Sequence, residues 1–122
     1  MDYMCTSASS EEYLKWILMI QKKLGSVRSV ELAEHMGFSK PSICVAIKKL
    51  EEGQLLVKDR RGYLHLTKKG QKIAESIHER HEFFTELFFN LGVDKDIAEQ
   101  DACQIEHVLS EQTYQKIRQK YI

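Results

Sequence analysis

Apolar residues recur at intervals of three and four along most of the chain, with charged residues between them. This spacing places the apolar side chains on one face of a helix, and glycines mark where each such segment stops. Ser29 would cap the second helix, and Ser39 followed closely by Pro41 is typical of the start of a third. Three helices are therefore predicted before the first β-prone segment, at residues 10–24, 30–36 and 40–52.

Two short β-prone segments follow, residues 55–58 and 63–66, on either side of a charged turn that contains Gly62. Apolar runs joined by such a turn predict a β-hairpin. Three helices followed by a hairpin is the order of a winged helix-turn-helix, and Gly37 supplies the short turn between the second and third helices. The first part of the chain is thus predicted to be a winged helix.

The remainder of the chain has a helical pattern without proline. Helices are predicted after Thr67 to about Leu91, after Asp94 to Leu109, and after Ser110. We therefore predict a mainly α protein with two modules that share the long helix. Residues 1–72 would form a winged helix-turn-helix with a small β-hairpin wing, and residues 73–122 an all-helical domain.

Composition places the chain among ordinary folded proteins, with 43% hydrophobic and 30% charged residues. No apolar run approaches the roughly 20 residues that a membrane helix needs, and the first dozen residues lack a signal-peptide pattern. Three scattered cysteines argue against a disulfide framework and are compatible with reduced thiols. We expect a cytoplasmic protein that does not enter a membrane.

The net charge is zero, but the charges are unevenly distributed. Residues 40–72 hold nine Lys or Arg against three acids, a balance of +6, whereas residues 73–111 hold two against ten, a balance of −8. The basic segment could face phosphates and the acidic segment could attract cations. Two solvated surfaces of opposite charge would give the same pattern, so charge alone does not identify a partner.

Cys103, Glu106 and His107 are spaced i, i+3 and i+4 on a predicted helix. Side chains at this spacing share a helical face, where they could offer sulfur, oxygen and nitrogen to one divalent ion. Three ligands from one helix rarely complete a coordination shell, and His81 and Glu12 are further candidates. Without further evidence, this spacing more often belongs to a solvated Glu–His pair beside a small core cysteine.

Residues 101–110, DACQIEHVLS, closely resemble the metal-binding helix of the diphtheria toxin repressor family, which includes iron-dependent repressors and manganese transport regulators. The resemblance covers nearly the whole chain and includes EEYL at 11–14, LAE at 32–34, KPS at 40–42, LHLTKKG at 64–70 and RHE at 80–82. It implies a set of metal-ligand positions: Glu12, His81, Cys103, Glu106 and His107.

The chain combines features of both branches of that family. Glu12 stands where the manganese branch has Asp and the iron branch Met, while Cys103 resembles the iron branch. Lys15 replaces a second acidic ligand of the manganese branch, which argues against a two-metal cluster. The chain ends at Ile122, so we expect no SH3-like third domain, as in the manganese regulators. Whether Glu99 adds an oxygen ligand is left open.

A soft thiolate suits Fe(II) better than Mn(II), which prefers carboxylate and water. We therefore expect iron rather than manganese as the activating ion, with Co(II), Ni(II) or Zn(II) able to substitute in vitro. The resemblance implies a metal-activated repressor of metal-homeostasis genes that binds a double-stranded DNA operator as a homodimer. The expected DNA contacts lie on the third helix and at the wing tip: Lys40, Pro41, Ser42, Cys44, Val45, Lys48, Arg60 and Arg61.

Other functions fit parts of the same sequence. A manganese-responsive regulator of the same family would share every motif, and a winged helix that senses an organic effector would bind no metal at His81, Cys103 and His107. A redox sensor would need Cys5 or Cys44 close to Cys103. A small metalloenzyme with Glu106 as its base is the least favoured alternative, because the sequence shows no nucleophile arrangement and no sign of a substrate cleft, and we expect no enzymatic activity.

Overall fold

The computed structural model describes residues 10–121. These residues form six helices and one two-stranded sheet: α1 (Ser10–Leu24), α2 (Ser29–Met36), α3 (Lys40–Glu52), β1 (Leu56–Lys58), β2 (Leu64–Leu66), α4 (Lys68–Asn90), α5 (Lys95–Ile105) and α6 (Glu111–Tyr121). The described chain divides into an N-terminal unit, residues 10–75, and a C-terminal unit, residues 76–121, with the division inside α4. The prediction of a mainly α protein is confirmed.

The N-terminal unit has the element order predicted for a winged helix. Helices α1, α2 and α3 pack on one another, and α1 and α3 also contact the hairpin. The hairpin is antiparallel, with Leu56 opposite Leu66 and Lys58 opposite Leu64. The core of the N-terminal unit is made of apolar side chains from its three helices and both strands, including Leu14, Ile17, Ile20, Leu32, Ile43, Ile47, Leu50, Leu56 and Leu64.

The caps explain where the N-terminal helices begin. Ser39 precedes α3 as predicted, and its Oγ accepts a hydrogen bond from the Ser42 amide at 3.3 Å. The prediction that Ser29 caps α2 was wrong, because Ser29 is already helical and Arg28 occupies the cap. The Glu31 side chain accepts a hydrogen bond from the Arg28 backbone N–H at 2.9 Å. Arg28 also forms an isolated antiparallel β-bridge with Tyr63. A contact with the wing therefore sets this boundary.

A close backbone approach fixes the start of α4. The Thr67 hydroxyl donates to the Gln54 carbonyl at 2.8 Å and accepts from the Gly70 amide at 3.1 Å. Gly70 lies so near Leu55 that a Cβ atom there would collide with the Leu55 carbonyl oxygen. Glycine is therefore required at this position, and the wing leads directly into the long helix.

The C-terminal unit has a small aromatic core. Phe84, Ala102 and Tyr114 are buried, and partly buried apolar side chains surround them: Phe83, Leu87, Phe88, Ile105, Leu109 and Ile117. Leu91 and Val108 instead remain largely exposed, at 73% and 77%. A contiguous exposed apolar patch is typical of a surface that a second protein covers, whereas single exposed apolar side chains are common. Among residues 10–121, no helix has the length and apolar character needed to cross a membrane.

Candidate metal centre and nucleic-acid interface

Three of the predicted metal ligands converge at the C-terminal end of α5. Cys103, Glu106 and His107 each place one potential ligand atom within 4.8 Å of the others. Cys103 and Glu106 are buried, and His107 is partly buried. A sulfur, a carboxylate oxygen and an imidazole nitrogen this close form a donor set that suits divalent transition metals.

Glu106 is the centre of this group. Its Oε2 lies 2.8 Å from Nδ1 of His81 on α4, and its Oε1 lies 3.3 Å from Nε2 of His107. The Glu106 side chain has no exposed surface. A carboxylate in such a place is costly unless it is paired, and here an imidazole faces each oxygen. His81 thus belongs to the same group of side chains.

Cys103 is fully buried, and its sulfur is disulfide-bonded in this structure. A disulfide sulfur offers no thiolate, so the expected ligand role of Cys103 requires the reduced chain. Of the cysteines considered as redox partners, Cys44 is exposed and free, and Cys5 lies outside the described residues. Metal-binding experiments on this chain therefore call for a reducing, anaerobic buffer.

The end of α5 differs from the prediction. The helix ends at Ile105 and does not reach Leu109, and His107 lies in the turn that follows. Glu106 nevertheless keeps helical torsion angles, φ −61° and ψ −24°, and its N–H donates to the Ala102 carbonyl. The predicted spacing of Cys103 and Glu106 on one face is therefore preserved.

Arg80 holds the backbone that follows α5. Its Nη1 donates to the carbonyl oxygens of Glu106 and Leu109, at 3.2 and 2.7 Å, and its Nη2 donates to Glu111 at 2.9 Å. The guanidinium also lies over the Tyr114 ring, 4.7 Å from its centroid. The carbonyls of Glu106 and Leu109, which follow α5, thus accept hydrogen bonds from a side chain of α4.

Arg80 was not among the site residues predicted from the sequence. The available signal was its position on α4, three residues after Ile77 and four before Phe84, both of which are buried. A charged residue at a core-facing position needs a partner. Glu111 is one such partner: hydrogen bonds from Gln115 and then Arg80 hold the pKa of the Glu111 carboxyl below its ordinary value.

Glu12, the remaining predicted ligand, lies on α1 in the N-terminal unit. Its carboxylate is 1% exposed. Lys15 Nζ lies 3.0 Å from Oε1, and the Trp16 indole N–H donates to Oε2 at 2.9 Å. The buried carboxylate is therefore already paired with a cation from its own helix. Glu99, the auxiliary candidate, is partly buried on α5.

The residues predicted to contact DNA are all exposed in the N-terminal unit. On α3 the opposite stripe is buried and consists of Ile43, Ala46, Ile47 and Leu50. The helix therefore presents a continuous solvent-facing surface that contains the six predicted residues: Lys40, Pro41, Ser42, Cys44, Val45 and Lys48. Val45 is 56% exposed, which fits contact with a partner better than a packing role.

The wing turn is organised by one carboxylate. Asp59 Oδ1 accepts the backbone amides of Arg61 and Tyr63, at 2.9 and 3.0 Å, and Oδ2 lies 2.8 Å from His65 Nε2. The hydrogen bond with His65 is the main cause that lowers the pKa of Asp59, and the two amides add to it. This Asx-type turn holds the exposed Arg60 and Arg61 at the tip of the hairpin.

Replacing Asp59 with Ala is expected to weaken DNA binding by about 3- to 10-fold, the scale of one or two weakened phosphate contacts. The expected cause is a turn that no longer holds Arg60 and Arg61 in place. Because folding lowers the Asp59 pKa, its stabilising effect is present above the ordinary value of 3.8 and is lost as the pH falls through the folded value. This carboxyl should therefore contribute no change in affinity between pH 6 and 8.

Fluorescence anisotropy with labelled operator DNA at fixed salt would measure the effect. Asp59→Asn is the matched control, because its amide oxygen can still accept both backbone N–H groups. Equal affinity of the Ala variant and the unmodified chain would show that the turn does not position the wing arginines for DNA.

Comparison with known proteins identifies both units. Residues 5–71 match the N-terminal DNA-binding domain of the iron-dependent repressors, and residues 67–121 match their metal-binding and dimerisation domain. The transcriptional regulator MntR of Escherichia coli O6:H1 is 31% identical over 108 residues, which cover 88% of this chain and 70% of that protein.

Solved structures show the same relationship. The manganese regulator SloR superposes with a TM-score of 0.83 and 28% identity, over 93% of this chain and 54% of that one. A manganese-dependent transcriptional repressor in complex with manganese gives a TM-score of 0.81 and 29% identity, over 92% and 52%. The chain thus spans about half the length of these solved relatives. Both are manganese proteins, so they do not support the expected preference for iron.

The family matches together cover residues 5–121, and their two domains follow one another in the order in which the winged helix and the helical unit occur. The relatives are transcriptional regulators and not enzymes, in agreement with the sequence analysis. The chain belongs to the iron-dependent repressor family of metal-dependent, DNA-binding transcriptional repressors.

Proposed function

We propose that this chain is a repressor of metal-homeostasis genes, activated by a divalent ion and bound to its operator as a homodimer. The observation that carries the proposal is the buried Glu106 carboxylate between His81 and His107, with Cys103 beside it. Interacting titratable side chains gathered in a protein interior mark a candidate functional site. The metal-binding family domain that matches this region supports the same function.

The proposed ligands are His81, Cys103, Glu106 and His107 from the C-terminal unit and Glu12 from α1. Glu12 is included because its carboxylate is buried and because the family resemblance assigns it a ligand position. When bound, the ion supplies the positive charge that balances the carboxylates and the thiolate of this group. Without the ion, protons and neighbouring cations balance that charge. Cys103 would contribute a thiolate after reduction, and Glu106 would offer one or both oxygens.

A shared ion gives a route from metal to DNA. An ion held by ligands from both units would restrict their arrangement, and it can shift the equilibrium only by binding the DNA-competent arrangement more tightly. In a dimer, that arrangement would set the spacing of two winged helices to match half-sites about one helical turn apart or a multiple of it. Glu12→Ala is thus expected to abolish stimulation by metal while the fold and dimer persist.

The DNA-facing surface supports direct binding to a duplex. We propose that α3 enters the major groove, where Lys40 and Lys48 meet phosphates and Ser42, Pro41 and Val45 lie near base edges. Arg60 and Arg61 would contact phosphates or the minor groove from the wing. The location of this activity in the cytoplasm remains a prediction.

The identity of the ion is the finer part of the proposal. The manganese-dependent relative, described with manganese bound, supports Mn(II), while the sulfur of Cys103 supports Fe(II). We propose Mn(II) as the activating ion to be tested first, with Fe(II) as its direct competitor.

The proposal is tested by measuring the affinity of the chain for the promoter DNA of its own gene, anaerobically and in a reducing buffer. Mn(II) and Fe(II) are added in separate titrations. The expected result is a gain in DNA affinity of about 5- to 150-fold with the correct ion, the usual range of allosteric coupling. The His107→Ala variant should lose that gain and keep its fold by circular dichroism. The ion that acts at the lower concentration identifies the branch.

Equal DNA binding with and without either ion would contradict metal activation. In that case the winged helix would remain, and a regulator that responds to an organic effector would become the preferred hypothesis.

A further inference from the structure

The α1 helix contains a buried lysine that the metal site does not explain. The Lys15 side chain has no exposed surface, and it is among the largest fully buried side chains of the described residues. A buried ammonium is costly without a paired negative charge. Its Nζ lies 3.0 Å from Glu12 Oε1, the carboxylate proposed above as a metal ligand.

Glu12 has donors at both oxygens. Lys15 Nζ pairs with Oε1, and the Trp16 indole N–H donates to Oε2 at 2.9 Å. The three residues lie on one face of α1, because their spacing from Glu12 is three and four residues. A divalent ion bound to Oε1 would lie next to the Lys15 ammonium, which occupies the same oxygen. The two cations would therefore repel each other and compete for that atom.

We infer that Lys15 is a built-in cation that competes with the activating ion for the Glu12 carboxylate and thereby weakens metal binding by this chain. The inference rests on the proposed function, since it takes Glu12 as a ligand. In the metal-free chain, the Lys15 ammonium lies 3.0 Å from Glu12 Oε1 and pairs with that buried carboxylate. Binding of the ion requires Glu12 to exchange this internal partner for an external one.

Competition by Lys15 and a purely structural role for Lys15 predict opposite changes in Mn(II) affinity when the lysine is replaced. Lys15→Gln removes the charge but keeps a hydrogen-bond donor for Glu12. It is expected to raise Mn(II) affinity by on the order of tenfold, because a like charge no longer lies beside the ligand. If Lys15 merely held α1 in shape, its loss would lower Mn(II) affinity instead.

Isothermal titration calorimetry with Mn(II) on the whole reduced chain would measure the affinity. Trp16 is the single tryptophan of the sequence and bonds directly to Glu12, so its fluorescence gives a second readout that does not involve DNA. Lys22→Gln is the matched control: Lys22 lies exposed on the same helix, and its loss should change affinity by less than about twofold.

Thermal unfolding with and without Mn(II) covers the case in which Lys15→Gln folds poorly. Removal of a competitor should make the stabilisation by Mn(II) larger than in the unmodified chain. The inference is overturned if Lys15→Gln binds Mn(II) no more tightly than Lys22→Gln, or gains no additional stabilisation from it. If the unmodified chain and both variants all fail to bind Mn(II) and Fe(II), the proposed function itself fails.

Discussion

Replacing Glu106 with Gln is expected to lower the affinity of the chain for its activating ion by at least about 100-fold, because changes outside the coordination shell already cost 10- to 100-fold. Glu106 is fully buried and lies within hydrogen-bond reach of His81, and its other oxygen faces His107. Gln keeps the volume of the side chain, so little cavity forms, but it lacks the negative charge that a divalent ion requires. Stimulation of DNA binding by metal should disappear with it.

Calorimetry of the reduced chain with Mn(II) and Fe(II) would measure this loss, and circular dichroism would confirm that the variant remains folded. Asp101→Asn is a suitable control, since it removes one negative charge from an exposed position on α5, five residues before Glu106. Its affinity should stay within about twofold of the unmodified chain. A Glu106→Gln chain that binds either ion normally would show that Glu106 is not a ligand, and the proposed site would be wrong.

The winged helix was predictable because its limits are local. Ser39 caps α3 through the Ser42 amide, and apolar residues at helical spacing define the buried face of that helix. The charged turn around Gly62 contains its own organiser, Asp59, within four residues of both amides that it accepts. Features of this kind depend on neighbours in the sequence, so propensity and spacing were sufficient to locate them.

The spacing of Cys103 and Glu106 could also be read from neighbouring residues, but the contacts that Glu106 makes with the rest of the site could not. Cys103 and Glu106 occur within one turn of helix, whereas the contact of Glu106 with His81 spans 25 residues. The backbone that follows α5 is held by Arg80, whose bonds reach 26 and 29 residues along the chain. Helical periodicity carries no information about such contacts, and the predicted helix continued too far.

The burial of Lys15 was equally inaccessible to the sequence. A lysine between apolar residues of an amphipathic helix ordinarily belongs to the solvent-facing side, and the resemblance marked this position only as a departure from an acidic ligand. The structure shows the ammonium fully buried against Glu12. The burial of Lys15 is visible only in the packed structure. It led to the hypothesis that a lysine in place of an acidic ligand weakens metal binding.

Replacing Arg80 with Ala is expected to destabilise the chain by about 2–4 kcal/mol, because each buried polar group left unpaired costs roughly 1–3 kcal/mol. Its loss removes the donor that serves the carbonyls of Glu106 and Leu109, along with its cation–π contact over Tyr114. Since the same bonds hold the segment that contains Glu106 and His107, the affinity for metal should fall by about 10- to 100-fold. Arg80 is thus a positioning residue for the metal ligands.

Urea unfolding of the metal-free chain and Mn(II) calorimetry, at a temperature where every variant is folded, separate the two effects. Arg118→Ala is the control, because Arg118 pairs with Glu79 at a partly exposed position, where ion pairs contribute at most about 1 kcal/mol. Arg80→Lys should recover only part of both losses, since one ammonium cannot match the fixed fork of donors that reaches two carbonyls and Glu111. If Arg80→Ala lost stability but bound Mn(II) as tightly as Arg118→Ala, Arg80 would support the fold without positioning the ligands. Equal stability of the two Ala variants would instead show that other groups satisfy the carbonyls of Glu106 and Leu109.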